Sequence, residues 1–144
     1  MDEMKYAKIA YMMPFQSVEK ALHEPALQLF VKENEPVNFG VSLFLLGLQP
    51  EVAYAVSCTV THAEEMEDFP VFVISRRFAM ENGTGINGRV PASFDLDIEI
   101  KEPLRSGQYK IEAKLKSENS KPDETKKSIS FIEIEIITAD KYGN

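Results

Sequence analysis

Few residues in this chain have types and spacings that could do chemistry. Cys58 and His62 could pair as nucleophile and base. On one extended strand they share a face, but four residues at about 3.3 Å each hold their Cα atoms roughly 13 Å apart, beyond hydrogen-bond reach. Cys58 falls in step with Val56 and Val60, the position of a buried inert thiol. His62, Glu64, Glu65, Glu67 and Asp68 could gather around a cation. With one histidine and no glycine to bend the loop, they read as a solvated acidic loop. No metal site is assigned.

Gly83, Gly85 and Gly88 spell GTGING, a literal dinucleotide fingerprint. That chemistry needs a helix amino terminus aimed at the pyrophosphate. Here Arg89, Val90 and Pro91 lead into alternating β sequence, so a glycine-rich loop between strands is expected and no cofactor is assigned. Asp95, Asp97 and Glu99 line one strand face at intervals of about 7 Å and read as a solvated outer face. No catalytic residue survives these tests. An asparagine-linked sugar at Asn82 would matter only in a secretory compartment.

Arg76 and Arg77 carry more information. Arg76 is in register with Phe72, Ile74 and Phe78, Arg77 with Val71 and Val73, so one arginine interrupts an apolar face either way. A strand end or bulge would release both to water. An interface strip would use them with surplus apolar surface at Phe44, Leu46, Tyr6 and Met12.

These residues sit on strands. Over 94–115, Phe94, Leu96, Ile98 and Ile100 alternate with Asp95, Asp97, Glu99 and Lys101, and after the turn EPLRSG the alternation resumes at Tyr109, Ile111, Ala113 and Leu115. Similar alternation marks 26–32, 37–46, 52–61, 71–80 and 129–137. A first strand, or as the second choice a short helix, is expected over 5–13 and to end at Pro14 either way, and a short helical turn is expected near 17–24, capped by Ser17 and closed by Pro25. The polar stretch 117–127 reads as a mobile hairpin loop, and 139–144 as a frayed tail. If the two closing strands pair, Lys110, Lys114 and Lys116 are expected to meet Glu133 and Glu135 across the ladder.

The pattern is all-β: an antiparallel sandwich of seven to eight strands in one domain over residues 1–144. IEIKEPLRSGQYKIEAKL, a polar loop and ISFIEIEII resemble the last three strands of immunoglobulin-like and fibronectin-type sandwiches, with Leu104 and Tyr109 at the corner entering the penultimate strand. Leu48, Pro50 and Tyr54 repeat that turn-then-tyrosine wording earlier. The resemblance implies architecture and leaves function to the sites.

At 144 residues and a net charge of −7, the chain is not built to wrap nucleic acid or dock on an anionic membrane. One cysteine forbids an internal disulfide, and the amino terminus lacks the basic start and apolar core of a signal peptide, so a cytoplasmic location is expected. The function expected is a non-catalytic protein-interaction or assembly module that binds a protein partner or itself. The runner-up is a sandwich binding a small ligand or carbohydrate through the 81–91 loop end.

Overall fold

A computed structural model describes residues 3–18, 22–64, 69–81 and 88–138. Nine strands among them form two sheets. The first sheet has the order β2–β1–β4–β7, from β1 (Lys8–Val18), β2 (Leu22–Pro25), β4 (Val37–Leu48) and β7 (Val90–Ile100). The second has the order β3–β9–β8–β5–β6, from β3 (Gln28–Lys32), β5 (Ala53–His62), β6 (Phe72–Ala79), β8 (Gly107–Ser117) and β9 (Lys126–Ile137). The period-two alternation places Val41, Leu43, Leu96 and Ile98 of one sheet against Val56, Cys58, Ile111 and Ile132 of the other, all essentially sealed from water. This is the all-β sandwich that the alternation predicts.

Three expectations are corrected. Pro14 does not end the first strand: β1 runs through it, with Pro14 opposite Val41. Its carbonyl accepts the Ala26 amide at 2.9 Å, so its backbone edge faces the β2 side and the missing N–H costs the β1–β4 ladder nothing. The helical turn near 17–24 gives way to a hairpin, because Ser17 pairs with His23 and Val18 with Leu22. So short a helix would nucleate poorly, whereas the hairpin extends an existing sheet. Finally, the sandwich is not wholly antiparallel, since β3 runs parallel to β9. The chain changes sheets within one step: the Ala26 amide still bonds Pro14, while the Leu27 carbonyl already accepts the Glu133 amide at 2.9 Å.

The corner before β8 forms as the sequence indicates. The Tyr109 hydroxyl donates to the Arg105 carbonyl at 2.7 Å, and Leu104 packs on the core. The earlier echo is also built: the Tyr54 hydroxyl accepts the Gln49 amide at 2.8 Å and donates to the Glu3 carbonyl at 3.2 Å. The polar stretch 117–127 carries local hydrogen bonds. Ser120 Oγ accepts the Ser117 amide and donates to the Ser117 carbonyl, and Glu124 accepts the Lys121 amide at 2.7 Å beside the 3-10 turn Pro122–Glu124. The tail at 139–144 lies outside the described residues.

Candidate interaction surfaces

Arg76 and Arg77 sit on β6, the outermost strand of its sheet. The β5–β6 ladder runs without a register shift, so no bulge turns them. Both are exposed because an edge strand leaves room beside it for water. Arg77 makes a 2.9 Å ion pair with Glu118, while Arg76 has no hydrogen bond or ion pair among the described residues.

Phe44 and Leu46 lie on β4, in the other sheet, so the four residues do not form one surface. A β-bulge between Ile9 and Tyr11 brings Tyr11 opposite Phe44, with ring centroids 4.6 Å apart. Tyr11 is 61% exposed and Leu46 49%. With Ala10, Pro91 and Ala92 they border a groove of about 430 Å³ on the outer face of the first sheet. Tyr6 is exposed too, with the Arg89 guanidinium 3.9 Å from its ring centroid. Met12 instead pairs with Leu43 and packs on the core.

The reactive candidates are absorbed by packing. Cys58 is fully buried, and burial pushes its thiol up to about 12. His62 is buried: Nδ1 accepts the Glu64 amide at 3.2 Å, and the ring meets Tyr109 edge-on at 4.8 Å. Gly107, at φ +151°, leaves space for that ring, since a Cβ there would fall 2.6 Å from His62 Nε2. Cys58 lies opposite Ala113 and His62 opposite Tyr109, so the strand keeps them apart.

Asp95, Asp97 and Glu99 are exposed on β7; Asp95 accepts the Ser42 hydroxyl at 2.7 Å and Glu99 pairs with Lys101 at 3.5 Å. Gly88 leads into strand β7, so the helix a dinucleotide needs does not follow. Residues 65–68 of the acidic loop and 82–87 of the 81–91 loop, with Asn82, lie outside the described residues.

One surface was not apparent from the sequence. On the outer face of the second sheet, Lys127 stands opposite Lys114, Lys114 opposite Ser57, and Ser57 opposite Ser75. In the next row Lys116 stands opposite Ala55 and Ala55 opposite Arg77. These small residues floor a groove of about 410 Å³, walled by Lys114, Lys116, Lys121 and Lys127 and closed by the turn at 120–125. It shares Ala55, Ser75, Lys116 and Ser120 with a hollow of about 340 Å³ that reaches Arg77, Glu118 and Ser117. The expected Lys–Glu ladder does not form in direct opposition: Lys110 faces Phe131 and Lys114 faces Lys127, while Glu133 faces Gln108 and Gln28. The lysines were visible in the sequence, but their register was not.

No protein-family model and no curated protein matches the sequence. Solved structures do. A bacterial adhesin from Mobiluncus mulieris containing intramolecular disulfide, isopeptide and ester bond cross-links is similar at TM-score 0.54 and 9% identity, over 92% of this chain. This chain spans 58% of the adhesin chain's length. The C-terminal domain of wzt is similar at TM-score 0.54 and 11% identity, over 92% of this chain and 74% of its own. The fold is an immunoglobulin-like β-sandwich. At such identities the likeness is one of fold alone. With Cys58 as its one cysteine, this chain has no counterpart to the adhesin's intramolecular disulfide.

Proposed function

We propose that this protein is a non-catalytic interaction and assembly module that binds a second copy of itself through the outer face of β1 and β4. The observation that carries this reading is the Tyr11–Phe44–Leu46 patch: two protruding apolar side chains border the groove of about 430 Å³ that they help form. Knob and groove on one surface suit a two-fold contact, in which each copy offers the same patch. Apolar residues grouped on a sheet's outer face, where alternation otherwise puts polar groups, mark association more than they serve folding. The fold shared with an adhesin fits a binding role.

Light scattering on a sizing column tests it. Mass should rise above 16.3 kDa with concentration and return to 16.3 kDa in Tyr11→Glu and Leu46→Glu, with melting temperature retained. A wild-type protein that stays monomeric at high concentration refutes the reading.

A further inference from the structure

We propose that the lysine-walled groove on the outer face of the second sheet binds an extended acidic segment of a partner protein. Lys114, Lys116, Lys121 and Lys127 surround it, and among the described residues no carboxylate lines it, in a chain whose net charge is −7. Lys114 has Glu112 at 3.7 Å along its own strand, yet its direct cross-strand neighbour is Lys127. Like charges directly opposed across a ladder destabilise it, and an anion laid between them reverses that effect.

The spacing selects the ligand class. Lys114 and Lys116 project from alternate positions of one strand, about 7 Å apart. That period matches alternate side chains of an extended peptide, whereas one phosphate or sulfate needs donors converging on a single point. Ala55, Ser57 and Ser75 keep the floor low enough for a peptide backbone. Lys114 and Lys116 would then meet carboxylates on one side, and Arg77, already paired with Glu118, would border the other. Among the described residues, no aromatic side chain lines the groove of about 410 Å³ for a base or sugar to stack on.

The test is fluorescence anisotropy on the full chain with a labelled peptide carrying Glu at alternate positions. Binding should appear at low ionic strength and weaken as salt is added. It should fall about tenfold or more in the Lys114→Gln, Lys127→Gln double variant, whose melting temperature confirms the fold. The same peptide with Gln for Glu should not bind. Tyr11→Glu should bind like wild type, so this proposal and the self-association reading fail separately. Equal affinity of the double variant overturns the proposal. So does absence of binding at low salt, or tighter binding of a sulfated oligosaccharide or single-stranded DNA than of the peptide.

Discussion

Lys114 and Lys127 face each other across the β8–β9 ladder, two ammonium groups where complementary charges were expected. Replacing one by a carboxylate converts repulsion into attraction. Lys127→Glu should stabilise the fold by about 0.5–1 kcal/mol, which for a chain of this size raises the melting temperature by roughly 1–4 °C. Calorimetry at low and high salt checks it, because the gain should shrink with added salt. A lower melting temperature at low salt would mean that the two side chains point away from one another.

The Tyr109 hydroxyl ties β8 to the preceding turn through the Arg105 carbonyl. Tyr109→Phe keeps the buried ring and deletes that bond, so it should cost about 1 kcal/mol, read as a lower urea midpoint at unchanged slope. The ring also meets His62 edge-on, so Tyr109→Ala, which removes both contacts, should cost more, about 3–5 kcal/mol.

Phe15 is buried although it stands outside the inter-sheet core, with its ring lying over Gly40 in the neighbouring strand. A Cβ at position 40 would fall 2.1 Å from Phe15 Cζ, so Gly40→Ala must displace the ring and should destabilise by about 1–3 kcal/mol. Phe15→Leu in the same molecule should recover part of that loss. A double-mutant cycle with zero coupling would show that the ring does not rest there.

Burial holds the Cys58 thiol at about 12 against an ordinary value of 9.0, and it also raises the Tyr54 phenol. Between those values the folded state binds more protons than the unfolded state, so stability is fully present below pH 9.0 and falls as pH rises towards 12. Urea midpoints measured across that window should decline less steeply in Cys58→Ala than in wild type. Native protein should also react with a thiol reagent only on unfolding.

Strand alternation was legible because a half-buried strand must repeat every two residues. Phe94 to Ile100, Tyr109 to Leu115 and Ile132 to Ile136 therefore mark their own inner faces. The corner at Tyr109 was legible because its partner lies four residues away. Pro14 and Ser17 were misread for the opposite reason. Their local signals favour a break and a helix, but pairing with Val41 and His23, both distant in the chain or set by the hairpin, outweighs them.

The sequence by itself determined the all-β class, the inward residues and the inert setting of Cys58, since each follows from a residue's near neighbours. Only the tertiary structure decided which strands lie side by side. That placed Arg76 and Arg77 on one sheet and Phe44 and Leu46 on the other, let β3 run parallel to β9, and set Lys114 against Lys127. Alternation tells which face of a strand a side chain occupies. Register tells which side chain it meets, and that depends on contacts between strands that no local pattern encodes.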